Sequence, residues 1–357
     1  MDLSVRDVPV PTDDTPTELI TALAELDRQA MVDFFGHDDL TEDADAQTRH
    51  FRAQQDTEKW WLAVHDTDQR LVGAAALGLP RHDNTRVAEM EATVAPGVAV
   101  APVLTVLWQH LEPRLAAAGR TSVQWWQMHR DGVDAAEQDR LVPATGSGSL
   151  QRDEWTSALD SLGFVLEQVE RHSVLELARH RDSWAALTAA AQPYATDYEV
   201  LSWPGATPPE LQESMARLRN RMSTDVPSGA LDIEEETWDA ARVARSDQLG
   251  IAKGRTPLFS VARHRGSGEL VAYTLIESPD RKPATAWQED TLVRADHRGH
   301  RLGTLVKTAN LDQLVRLRPQ VERVHTWNAD ENQWMLAINV ALGFAPASAE
   351  GAWQRCG

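Results

Sequence analysis

The chain has 357 residues, 42% of them apolar, and a formal net charge of -19 at pH 7. That length and composition fit a folded protein of two domains with a substantial core, and exclude a disordered one. The acid excess argues against a long nucleic-acid surface, which needs a basic face, but leaves room for one small phosphate pocket.

Residues 3–8 read as a strand and 17–35 as a helix with Leu19, Leu23, Leu26 and Ala30 on one face. A hairpin follows over 60–65 and 71–79, then a strand over 86–94 that Ala95-Pro96-Gly97 breaks. The spacing of Val103, Val106, Leu107, Leu111 and Leu115 predicts a helix over 102–118. A short strand over 121–127, a polar loop over 131–153, a helix over 155–162 stopped by Gly163 and a strand over 165–177 complete this series. Residues 180–196 form a linker helix ending before Pro193. A second series then runs strand 198–202, helix 208–222, turn-rich loop 223–232, helix 234–249 and a hairpin of 258–263 with 270–276. It continues through strand 285–292, a helix opening at Leu302, strand 324–328, helix 332–342 and a last strand around Trp353.

The two series share one order of elements, and each closes its last helix with Leu-Gly-Phe, at Leu162-Gly163-Phe164 and Leu342-Gly343-Phe344. A fold-level duplication follows. Cys356 is the sole cysteine, so no intrachain disulfide or cysteine-built zinc site exists. The N-terminal stretch has no signal pattern, and no run of about 18 apolar residues offers a membrane span. The expectation is a soluble, cytoplasmic protein with no nucleic-acid or membrane partner; the sequence does not speak to oligomeric state.

The most informative stretch is the one from Val293 to Thr304. A strand runs into a turn containing Gly299 and Gly303, and the turn opens a helix. The start of a helix carries unpaired N–H groups and the positive end of the macrodipole, which suit phosphate. Arg294, His297, Arg298, His300, Arg301 and Lys307 gather basic groups there. No carboxylate pattern completes a metal site with His297 and His300, so none is expected.

These residues resemble the GNAT superfamily of N-acetyltransferases. The family motif, Gln/Arg-x-x-Gly-x-Gly/Ala at a helix start, is met by Arg298-Gly299-His300-Arg301-Leu302-Gly303, with Arg301 where the family usually has glycine. Asn328, Asn332 and the closing Gly343-Phe344 match a second family stretch. The resemblance implies an α/β fold (a mixed α+β sheet) of two tandem GNAT-like domains, each a twisted, mostly antiparallel sheet flanked by helices, a layout also seen in mycothiol synthase. The domains are expected at 1–180 and 197–357. The first has Ala95-Pro96-Gly97 and Pro102 in place of the basic turn and is expected to lack the cofactor site.

For the second domain the resemblance implies acetyl-CoA as co-substrate and a small-molecule primary amine as acceptor. Leu292, Val293, Arg298, Gly299, His300, Arg301, Leu302, Gly303, Thr304, Asn328 and Asn332 are the expected cofactor-binding residues. An alkyl ammonium has a pKa of roughly 10.4, so the reaction needs a base. Glu289 and Asp290 are the candidates; strict alternation puts them on opposite faces, and Asp290 is slightly preferred. Amides around Val293 are candidates for polarising the thioester carbonyl. Relatives place a tyrosine acid on the last helix, but no tyrosine occurs after Arg281, and Asn339 lies near that place. Asp225 and Pro227 are weaker candidates for lining the acceptor site. The alternative is a non-catalytic CoA- or metabolite-binding protein.

Overall fold

The computed structural model describes residues 2–132 and 134–357. Met1 and Val133 are outside the described residues, so the expected loop over 131–153 is described without Val133. Two compact units emerge: residues 1–170 with 228–233 and 349–357, and residues 171–227 with 234–348. They differ from an unbroken division at 180 and 197 in three places: 171–180 count with the second unit, while 228–233 and 349–357 count with the first.

The first unit contains β1 (Ser4–Val8), α1 (Glu18–Phe35), α2 (Ala44–Arg52), β2 (Thr57–His65), β3 (Leu71–Pro80), β4 (Val87–Val94), α3 (Val100–Ala117), β5 (Ser122–His129), β6 (Arg140–Leu141), β7 (Leu150–Gln151) and α4 (Glu154–Ser161). β8 (Val165–Glu176) begins in this unit and ends in the second. Its sheet runs β1-β2-β3-β4-β5 and then the C-terminal strand, antiparallel except for the β4–β5 pair. Of the predicted stripe on α3, Val103, Leu107, Leu111 and Leu115 are buried in the cluster that holds Trp125 and Phe164, Val106 is only partly buried, and Leu104, outside the predicted stripe, is buried with them. Helix α2 is absent from the sequence reading. Its charge-rich sequence hides the short apolar side that Ala46 and Phe51 bury, and Asp43 caps it by accepting from the Ala46 N–H.

The second unit contains α5 (Leu177–Ala191), β9 (Tyr198–Pro204), α6 (Pro209–Arg219), the short α7 (Met222–Asp225), α8 (Ala240–Ala252), β10 (Arg255–His264), β11 (Leu270–Pro279), β12 (Thr285–Val293), α9 (Leu302–Leu317), β13 (Arg323–Ala329) and α10 (Gln333–Leu342). β14 (Ala345–Cys356) starts here and supplies the C-terminal strand of the first unit. The strand order is β13-β12-β11-β10-β9, with only β12–β13 parallel. Along β10 and β11, Phe259, Val261, Tyr273 and Leu275 bury one face against Met215 of α6 and Val243 of α8. Leu258 and Ile276 bury the other against Leu311 and Leu314 of α9 and Leu342 of α10. The helix expected over 234–249 starts later, at Ala240, because Asp239 caps it through the Arg242 N–H. The preceding amides go elsewhere: Glu236 N–H to Ser223 Oγ and Trp238 N–H to Asn220 Oδ1.

Candidate active site

Two irregularities in β12 define the site. Thr274 pairs with Thr291 and Ile276 with Gln288, so Glu289 and Asp290 together face a single residue of β11. This is a β-bulge, and the extra residue cancels one step of alternation. Glu289 and Asp290 therefore lie on the same face of the sheet, not on opposite faces as strict alternation requires. The contacts agree: Asp290 Oδ2 accepts from Tyr273 Oη at 3.0 Å, on the α6–α8 side, and Glu289 lies near Arg255 and Glu277. Gln288 holds the bulge from the opposite face, its Nε2 donating to Thr274 Oγ1 and to the carbonyls of Leu275 and Glu289.

The second irregularity is a parting of strands. The β12–β13 register runs from Thr285↔Arg323 to Gln288↔Thr326 and no further, although both strands continue. Arg294 N–H donates to Val271 O at 2.9 Å. The neighbouring Val293/Ala272 pair is then non-bonded, and the Val293 amide points away from β11 toward the gap. By the same alternation the Leu292 amide faces β11, and its side chain is buried in the α6–α8 core.

Beyond Val293 a short 3-10 turn, Ala295–His297, leads to α9. Gly299 has φ +86° and Arg301 φ +53°, both left-handed. Arg301 thus adopts the conformation that a glycine would take there, at a local strain on the order of 1–2 kcal/mol. Its guanidinium lies 4.1 Å from the Tyr194 ring centroid and donates to Ala190 O, while His300 Nδ1 meets Tyr194 O at 3.0 Å. Gly303 serves packing: a Cβ there would stand 3.0 Å from Ile338 Cδ1 of α10. Leu302 is buried. No N–H from Gly299 to Thr304 has a partner among the described residues; the first helical bond is Leu305 N–H to Arg301 O, and no side chain caps α9. A run of free amides at a helix start has the donors and the dipole that suit an anion.

The expected basic cluster is largely neutralised within the protein. Arg294 is bound by Asp296 and Glu269. Arg298 donates to the carbonyls of Val293 and Asp225 and lies 3.7 Å from the Asp225 carboxylate, yet its side chain stays 53% exposed. Asp225 also accepts from Ala295 N–H, which makes it part of this turn. Lys307 is buried, beside the Phe344 ring, and burial pulls its pKa down to about 7. His297 Nδ1 meets Tyr198 Oη at 2.9 Å, and burial lowers its pKa. No group of three or more His, Cys, Asp or Glu among the described residues could hold a metal ion.

Burial by surrounding protein raises the Glu289 carboxyl to about 7; the charge of Glu277 adds to this and that of Arg255 opposes it. The side chain still keeps 40% of its surface open to solvent. Tyr273 is fully buried, and its hydroxyl is held well above its ordinary pKa, by burial first and by Asp290 second. Asn332 Oδ1 caps α10 through Met335 N–H. Asn328, two residues past the last position of β13 that pairs with β12, accepts at Oδ1 from Asn339 Nδ2 of α10 at 2.5 Å. Tyr273, Glu277, Arg255 and Gln288 escape sequence reading because strand pairing brings them to this place, and the bulge adds Asp290 to the same face.

No family model and no curated protein matches the chain. Solved structures do. A tandem GNAT protein from the clavulanic acid biosynthesis pathway superposes with a TM-score of 0.75 and 25% identity, over 99% of this chain and 98% of its own. A GCN5-related N-acetyltransferase from Sphaerobacter thermophilus matches with a TM-score of 0.60 and 13% identity, over 99% and 95%. The glucosamine N-acetyltransferase region of a fungal multi-domain β-N-acetylglucosaminidase matches with a TM-score of 0.62 and 12% identity, over 99% of this chain and 38% of the other. The fold is that of a tandem GNAT protein.

Proposed function

We propose that the second unit transfers an acetyl group from acetyl-CoA to a primary amine of a small molecule. The observation that carries this reading is the run of unpartnered amides from Gly299 to Thr304 at the start of α9. It suits a diphosphate, with Arg298 adding charge from the side. The gap between β12 and β13 suits the thiol arm. Acetyl-CoA supplies the activated acyl group; the chain supplies binding, orientation and proton transfer.

In this reading the Val293 amide donates to the acyl carbonyl oxygen. Glu289 takes the proton from the attacking nitrogen, because a pKa of about 7 matches the working pH of a general base and its side chain is open to solvent. Asp290, already accepting from Tyr273, positions the acceptor beside it. The nitrogen forms its bond to the acyl carbon as the carbon–sulfur bond breaks, and the thiolate takes a proton from solvent. The test is thiol release from acetyl-CoA with a panel of primary amines; acyl transfer requires release that depends on both substrates. A second reading, CoA binding without catalysis, is favoured by one feature: α10 contains no tyrosine and so offers no phenolic proton donor, Asn339 lying near the place where the family resemblance implies one. Thermal stabilisation by CoA without thiol release decides for it.

A further inference from the structure

Asn339 is 3% exposed and half satisfied. Its Nδ2 donates to Asn328, whereas its Oδ1 is buried with no donor within reach. A buried carbonyl left without a hydrogen bond costs on the order of 1–3 kcal/mol, so its persistence points to a donor that arrives with a ligand. The position identifies which ligand. Ile338, the preceding residue, packs on Gly303 within the free-amide run of α9, and Asn328 stands beside the gap between β12 and β13. Asn328 and Asn339 thus lie on the α9–α10 face, while Glu289 and Asp290 lie on the α6–α8 face. A donor reaching Asn339 therefore comes with the phosphate-bearing ligand and not with the amine acceptor.

We infer that Asn339 Oδ1 accepts a hydrogen bond from an amide N–H in the thiol arm of coenzyme A, and that Asn328 positions it by engaging Nδ2. The residue near the place where the family resemblance implies a proton donor is then a cofactor-reading acceptor. The amide is the better candidate donor because a thiol donates only weakly. This inference rests on the acetyl-CoA reading above.

The test is calorimetry on the full chain with three ligands: CoA, desulfo-CoA and ADP, which carries a diphosphate but no amide arm. Asn339→Ala is expected to weaken CoA and desulfo-CoA about five- to tenfold, leave ADP unchanged and spare the fold. Asn339→Asp, which keeps an acceptor oxygen, is expected to stay closer to the parent for CoA than the Ala variant. Asn339→Leu, of similar volume, gives the same comparison if the Ala variant does not fold. Unchanged CoA affinity in the Ala or Leu variant overturns the inference, as does an equal loss for ADP. A loss seen with CoA but not with desulfo-CoA also overturns it, by making the thiol the donor. If the parent chain binds neither CoA nor ADP, the acetyl-CoA reading itself fails, a result distinct from any of these.

Discussion

The strand-to-helix turn of each unit stands at the same point in the order of elements and leaves its backbone donors in different states. In the second unit the amides of Leu302, Gly303 and Thr304 open α9 without a partner. In the first, Pro102 removes a donor from the same turn of α3, and the Val100 N–H makes a long hydrogen bond of 3.5 Å to the Glu154 carboxylate. That carboxylate is an internal anion at the positive end of the helix. The strands differ as well. β4 keeps one register with β3 from Gly73↔Val94 to Gly78↔Glu89, whereas β12 carries the bulge. The lesson is that a duplicated fold can keep its element order while a few backbone donors and one inserted residue set the two turns and strands apart.

The strongest way to break this contrast is to remove the carboxylates. Glu289→Gln with Asp290→Asn is expected to lower kcat about 10²–10⁴-fold, while Glu91→Gln on β4 leaves steady-state rates near the parent. Comparable losses in both would end the assignment of chemistry to the second unit. Next, Arg298→Ala with Gly299→Pro gives the second turn a proline and takes away its arginine, as in the first unit. CoA affinity should fall at least tenfold by calorimetry, a loss of about 1.4 kcal/mol or more, and unchanged affinity would remove the site from this turn.

The third prediction concerns pH. The Glu289 carboxyl, raised to about 7, acts as a base only when ionised, so kcat/KM should rise with pH through about 7. Linkage has the opposite sign for stability. A carboxyl raised above its unfolded value of 4.5 favours the fold when protonated; that contribution is complete below 4.5 and is lost as pH climbs through about 7. Glu289→Gln should therefore gain in Tm relative to the parent between pH 5 and 8, and a flat difference would show that the carboxyl is not perturbed. The smallest effect is expected at Arg301. Arg301→Gly relieves left-handed strain and Arg301→Ala does not, while both lose the Tyr194 and Ala190 contacts. The glycine variant should be more stable by about 1 kcal/mol in denaturant unfolding.

Much of the fold was legible because it rests on periodic burial. The stripe on α3, the two hairpins and the glycine-stopped helices α4 and α10 follow from apolar spacing and from Gly163 and Gly343, both at positive φ. Helix α2 was not legible, since its nine residues are mostly charged or polar. The turn before α9 was readable from its glycines and basic residues, but its mode of action was not. Asp296, Glu269 and Asp225 occupy the arginines, which leaves backbone amides as the main resource. The shared face of Glu289 and Asp290 was hidden because a bulge is a property of pairing, not of one strand's residues. No local pattern announces it.

The bulge makes residue count in β12 as consequential as residue type. Deleting a single residue there would leave every functional group in the chain's vocabulary and yet rotate one carboxylate to the far side of the sheet, among the buried side chains under α9. In a lineage of such proteins, activity is then exposed to one-codon deletions that conventional substitution scanning never samples, and length variants of this strand are the sequences in which to look for lost or redirected catalysis.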